Sequence, residues 1–199
     1  MHVTVVYESM FGNTRMIAAR IAQGIRTHLV DTPNRVVVLS LAEVTDDDIA
    51  RAQLLVVGSP THAHGLSRPG TRAEAAAWSK DPHKHLDLEP TATGDGVREW
   101  LDRLPAGDGL FAAFDTRADI PKLLSGAASH AIARRLEHSG RRQVLEPESF
   151  RVTTDNHAEP DELTRAGTWG KSLALACEGL ARSESDLQEA AASSESGTS

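Results

Sequence analysis

Tyr7-Glu8-Ser9-Met10-Phe11-Gly12-Asn13-Thr14 is the stretch whose reading decides the fold. Ahead of it, Val3-Thr4-Val5-Val6-Tyr7 is short, apolar and β-branched, the composition of a strand buried on both faces. Behind it, Ile17, Ala18, Ile21, Ala22, Ile25 and Leu29 recur at helical spacing. The residues between are mostly small or hydroxylated. A strand that feeds a helix through such a loop aims unpaired N–H groups and the positive end of the helix dipole at one spot, which suits a phosphate. In this reading Gly12 lets the backbone approach closely, and Ser9, Asn13 and Thr14 add side-chain donors. The competing reading is a plain N-capped helix, with Asn13 or Thr14 satisfying orphan amides. No Gly-Lys-Ser/Thr follows and there is no Gly-x-Gly-x-x-Gly, so neither a Walker loop nor the dinucleotide fingerprint is present.

Working outward, Arg35-Val36-Val37-Val38-Leu39 reads as a second strand and Leu54-Leu55-Val56-Val57-Gly58 as a third. Asp47 and Asp48 precede one or two helical turns. The third strand runs into a loop from Ser59 to Gly70. Residues 72–80 read as a helix, with Ala73, Ala76, Ala77 and Trp78 available to pack. Residues 81–95 break periodicity, and the spacing of His83 and His85 is wrong for a metal site on one helical face, so a solvated insertion is expected. Val97, Trp100, Leu101 and Leu104 stripe the next helix, Leu110-Phe111-Ala112-Ala113-Phe114 forms a fourth strand, and Ala128, Ile132 and Leu136 mark another helix. Gln143-Val144-Leu145 and Ser149-Phe150-Arg151-Val152 read as a fifth strand interrupted by Pro147. Leu163, Ala166, Gly170, Leu173, Ala174, Cys177 and Leu180 stripe the last helix, with Cys177 a buried, inert thiol. The alternation of strands and helices implies a parallel sheet covered on both faces.

Ser9-Met10-Phe11-Gly12-Asn13-Thr14 resembles the FMN phosphate loop of flavodoxins, Ser/Thr-x-x-Gly-Asn-Thr. Gly58-x-Pro60-Thr61 resembles the segment of flavodoxin-like proteins that covers one face of the isoalloxazine ring. The resemblance spans about residues 1–182, with 81–95 as a departure. It implies a doubly wound five-stranded sheet of order 2-1-3-4-5, with ligands beyond the carboxyl ends of strands 1 and 3. It also implies FMN as cofactor, held by Ser9, Met10, Phe11, Gly12, Asn13 and Thr14 at the phosphate. Pro60, Thr61, His62, Ala63, His64 and Gly65 would lie on one side of the ring, with Asp115, Thr116 and Arg117 on the other. Phe11 stands where flavodoxins commonly have Thr. Neither ring loop carries the Trp or Tyr that usually stacks on flavin, which leaves His62, His64 and Arg117 as flat, π-bearing side chains. The implied function is electron transfer, as a carrier serving a redox partner protein or as a small reductase with a small-molecule donor or acceptor. The alternative is a flavodoxin-fold binding or regulatory module that has lost its flavin.

The chain's 199 residues fit one domain. Its net charge of −7 falls to −3 without Glu184, Asp186, Glu189 and Glu195, and the Ser-, Glu- and Ala-rich segment 183–199 is expected to be a disordered tail. No basic block points to nucleic acid, and no run suggests a membrane span or signal peptide, so the expected location is the cytoplasm. One cysteine excludes an internal disulfide and a Cys-based zinc site. The third strand ends in Gly58-Ser59-Pro60, without the acceptor aspartate of a receiver domain, and no Gly-x-Ser-x-Gly elbow marks a hydrolase. The oligomeric state stays open, with a homodimer among the options.

Overall fold

A computed structural model describes residues 1–29, 33–62, 65–119, 126–153 and 156–196, with side chains as far as 189. The β-branched run after Met1 forms β1 (His2–Tyr7), and the chain turns at Gly12 into α1 (Asn13–His28). There follow β2 (Arg35–Ser40), α2 (Asp46–Ala50), β3 (Leu54–Pro60), α3 (Pro69–Trp78), α4 (Val97–Arg103) and β4 (Leu110–Ala118). The chain ends with α5 (Ala128–His138), β5 (Arg142–Gln143), β6 (Glu148–Val152) and α6 (Pro160–Ser196). The strands are parallel in order β2-β1-β3-β4-β5, and β6 continues alongside β4 beyond β5. The fifth strand is therefore two short pieces: β5 pairs Leu110 and Phe111, and β6 pairs Phe114 to Ala118. The interruption falls around Pro147, whose missing N–H cannot serve a ladder.

Each sheet face has its own core. Val3, Val5, Val56 and Phe114 meet the stripes of α1 and α6. Val6, Leu55, Val57 and Phe111 meet α2, α4 and α5. On the first face Phe114, Phe150 and Trp169 pack edge to face, with ring centroids 6.1–6.4 Å apart. Close passage of α1 past α6 depends on small residues at the seam. A Cβ on Gly24 would collide with the Gly167 carbonyl, and one on Gly170 with that of Ile21. Cys177 is buried on this face, and burial pushes its thiol up to about 11, with Glu178 adding to the effect.

Two expectations are corrected. Of α3, the residues expected to pack lie outward or half-buried, and the buried positions are Arg72 and Ala75. Ala75 joins Met10 and Ala92 rather than a strand, so α3 covers neither sheet face and α4 takes that place. The segment 183–199 is not irregular throughout, since α6 runs on to Ser196. Ala and Glu are good helix formers, so an established helix propagates through them without packing, and residues 183–189 are exposed. No helix is long and apolar enough to cross a membrane among the described residues.

Candidate functional site

The carboxyl ends of β1, β3 and β4 open on a cavity of about 880 Å³. Ser9, Met10, Phe11, Asn13 and Thr14 line it from the β1 loop, Pro60, Thr61 and His62 from β3, and Thr116 and Arg117 from β4. These are ten of the residues expected from the sequence. Gly12, Gly65 and Asp115 do not line it, and Ala63 and His64 fall outside the described residues.

Gly12 has φ +89°, the left-handed region that glycine enters without strain. The glycine is thus required by the turn itself, not by close approach of a ligand: a Cβ there would face Glu89 Oε1 at 3.4 Å and Arg15 Nη2 at 3.5 Å. From Gly12 the helix starts without a side-chain cap, and its first internal bond runs from Met16 N–H to the Gly12 carbonyl at 3.0 Å. The amides of Asn13, Thr14 and Arg15 therefore have no partner within the helix. Ser9 Oγ accepts from Gly12 N–H at 3.0 Å, which leaves its own proton free to donate.

The other side chains tie loops together. The Asn13 amide donates to the Asn156 carbonyl and to Asn156 Oδ1, each at 2.9 Å, and Asn13 Oδ1 accepts from Ala158 N–H. Both of its donors are spent, so Asn13 acts as the pin that brings Thr153, Asn156 and His157 to the cavity. Thr14 and Thr116 share a hydroxyl hydrogen bond of 2.8 Å, which locks the start of α1 to β4. Asp115 is fully buried, and its Oδ2 accepts from Ser129 N–H at 2.8 Å, while Thr61 Oγ1 accepts from Ala128 N–H. Both cap the start of α5, which is why Asp115 turns away from the cavity. Burial raises the Asp115 carboxyl, and burial with nearby Arg72 lowers the His62 imidazole, favouring its neutral form. His62 and Gly65 exchange backbone hydrogen bonds of 2.8 and 2.9 Å, which closes the β3 loop on itself.

Glu8, the first residue after β1, is buried and forms a brace. Its Oε2 accepts from Val97 N–H at 2.8 Å, with Ser67 and Arg72 beside it. Arg72 Nη1 reaches Ser67 Oγ at 2.9 Å and Glu99 Oε2 at 3.1 Å. Arg98 adds bonds to the carbonyls of Leu66 and Ser67. The brace fixes the β3 loop against the β1 loop. Burial pushes the Glu8 carboxyl up, and among the described residues its Oε1 has no partner.

The far wall is the part that the sequence reading missed. Thr71, Ala75 and Trp78, one face of α3, line the cavity together with Glu74 and with His83, Lys84, His85 and Leu86. The insertion is thus a wall of the site as well as a largely solvated segment, with His83, Lys84 and His85 exposed. It is held by Met10, Phe11, Ala75, Leu88 and Ala92, by the bond from Glu89 N–H to the Met10 carbonyl, and by the Arg15–Glu89 ion pair at 2.7 Å. An indole ring, absent from the β3 and β4 loops, lines the cavity here as Trp78. Among the described residues, no cluster of His, Cys, Asp and Glu is large enough to hold a metal.

The flavodoxin family model matches residues 5–92, which takes in the β1 and β3 loops and most of the insertion but stops short of β4. Solved structures share the fold at low identity. A flavodoxin from the domain Archaea is 20% identical with a TM-score of 0.58, over 89% of this chain and 99% of that one. The flavodoxin, WrbA-like protein of Agrobacterium tumefaciens is 17% identical with a TM-score of 0.54, over 89% and 98%. Rubredoxin oxygen:oxidoreductase of Desulfovibrio gigas is 17% identical with a TM-score of 0.54, over 89% of this chain but 36% of that one. No curated protein sequence matches the chain.

Proposed function

We propose that this flavodoxin-like chain binds FMN across the carboxyl ends of β1 and β3 and serves as a redox protein. The observation that carries the reading is the uncapped start of α1, turned by Gly12 into a cavity flanked by the β3 and β4 loops. Free amides and a helix dipole there fit a phosphate dianion. The amides of Asn13, Thr14 and Arg15 and the Ser9 hydroxyl hold the phosphate, and the Thr14–Thr116 hydroxyl pair offers a further donor. Pro60, Thr61 and His62 lie along one side of the ring, and Thr116 and Arg117 along the other. Bound FMN supplies one- or two-electron transfer. His62, kept neutral, adds no charge at the ring, whereas the Arg117 guanidinium favours negative charge near it.

The electron partner is a protein or a small molecule, and the protein works in the cytoplasm. The flavin-free module is the second reading. It is favoured by one observation: Asn13, Thr14, Thr61 and Asp115 already satisfy one another or their neighbours without a ligand. Titrating the protein into FMN separates the two. Saturable quenching of flavin emission supports the redox reading, and full emission at millimolar protein supports the module.

A further inference from the structure

The cavity continues past the phosphate loop. Along α3, Thr71 stands nearest the β3 loop, Ala75 packs against Met10 of the phosphate loop, and Trp78 lies a further turn on. Beyond the phosphate position the wall therefore changes character. Trp78 is 44% exposed, unusual for so large a ring, and the Lys84 ammonium stands 4.8 Å from its centroid. Among the described residues Lys84 meets no carboxylate, so the ring orients a cation that is free to receive an anion. The turn that presents it is ordered by Asp81, whose Oδ1 accepts from His83 N–H at 3.0 Å and whose carbonyl accepts from Lys84 N–H at 3.1 Å. His83 and His85 line the same end, and Glu74 lies one helical turn before Trp78.

We infer that this outer arm is an adenine-nucleotide subsite: Trp78 takes the base on the ring face opposite Lys84, Glu74 accepts the ribose hydroxyls, and Lys84 with His83 and His85 holds phosphate oxygen at the ring's edge. Each assignment follows from chemistry. An indole face stacks on any base, a carboxylate suits a ribose diol, and an unpaired ammonium suits phosphate. Two ligands carry this group: the AMP half of FAD, continuous with a flavin whose first phosphate sits at α1, or a separate nicotinamide dinucleotide. Either source rests on the flavin reading above, whereas the nucleotide subsite does not.

ADP is the probe. Saturable quenching of tryptophan emission by ADP is expected in the full chain, lost in Trp78→Phe, where only Trp100 and Trp169 still emit, and weakened roughly tenfold in Lys84→Ala. Tighter binding of FAD than FMN, with Trp78→Ala weakening FAD roughly tenfold and FMN less than about twofold, assigns the arm to FAD. ADP and NADH binding to FMN-loaded protein without displacing FMN, while FAD is no tighter than FMN, assigns it to a separate dinucleotide. ADP binding in a protein that ignores FMN supports the subsite and sinks the flavin reading instead. Unchanged emission with millimolar ADP overturns the inference, as does equal weakening of FMN, FAD and ADP by Trp78→Ala and Lys84→Ala.

Discussion

The wall of the cavity built by the β1 loop grows straight out of β1, whereas the opposite wall, α3 with residues 79–95, adds no residue to either sheet core. The first is anchored by strand ladders, by the Glu8 brace and by the Thr14–Thr116 bond. The second hangs on a small apolar cluster, the Glu89–Met10 backbone bond, the Arg15–Glu89 and Arg103–Asp95 ion pairs and, at Arg72 alone, the Glu8 brace. The difference separates holding a ligand from choosing it. A rigid wall can fix a phosphate, while a lightly held wall can differ between relatives without costing the fold.

The largest effect is expected where the two walls share a buried group. Glu8→Ala leaves Val97 N–H unpaired and Arg72 buried with Ser67 and Glu99 alone, and it is expected to cost about 3 kcal/mol in denaturant unfolding. Glu8→Gln keeps the acceptor, and its effect depends on pH. Burial raises the Glu8 carboxyl, so the folded state holds a proton that the unfolded chain releases as pH rises above about 4. That stability is present at low pH and lost as pH climbs through the folded value. Glu8→Gln should therefore match the parent near the acid end and gain on it towards neutrality. A parent that gains on Glu8→Gln with rising pH would show Glu8 to be a satisfied anion.

Next is Gly12→Val, which forces a β-branched residue to φ +89° at a cost of about 1–3 kcal/mol. The strain falls on the turn that opens α1. Native-like circular dichroism with loss of FMN binding is the expected outcome, and FMN affinity equal to the parent's would place the phosphate elsewhere.

Much of the fold was legible because its signals are local. The β-branched runs became β1 to β3, the stripe from Ile17 to Leu29 is wholly buried, and the strand order is the one that the resemblance implies. The strand-end wall was legible as well, through short motifs at strand ends. Periodicity shows which face of a helix packs but not against what, and on α3 even the face was misread. Its buried side is set by Arg72, a cation that only Glu8, Ser67 and Glu99, brought around it by the fold, allow to be buried. The pin from Asn13 to Asn156 spans 143 positions and leaves no local trace. Trp78 looked like a packing residue because an aromatic at helical spacing usually is one.

Arg117→Ala tests the charge at the strand-end wall, and its effect should be smaller. A guanidinium near the ring stabilises negative charge on the reduced flavin. Its removal is expected to lower the midpoint potential by roughly 20–40 mV, the equivalent of about 1 kcal/mol. An unchanged potential with FMN bound would leave Arg117 without a tuning role.

Glu89→Gln asks least of the protein and most of the comparison. The Arg15–Glu89 pair is lopsided, with Arg15 largely in solvent and Glu89 sheltered, so its contribution to global stability should stay near 0.5 kcal/mol or below. The substitution retains the Glu89 backbone bond to Met10 and the packing of Leu88 and Ala92, so the wall stays in place on average. What changes is how often it opens. If residues 79–95 form a unit that opens without the sheet, amide exchange there should quicken by about twofold, the equivalent of roughly 0.4 kcal/mol, while the amides of β1, β3 and α1 keep their rates. The same quickening in the strands would mean that the two walls open together. No change anywhere would mean that the apolar cluster alone holds the far wall, and Met10→Ala should then release it where Glu89→Gln does not.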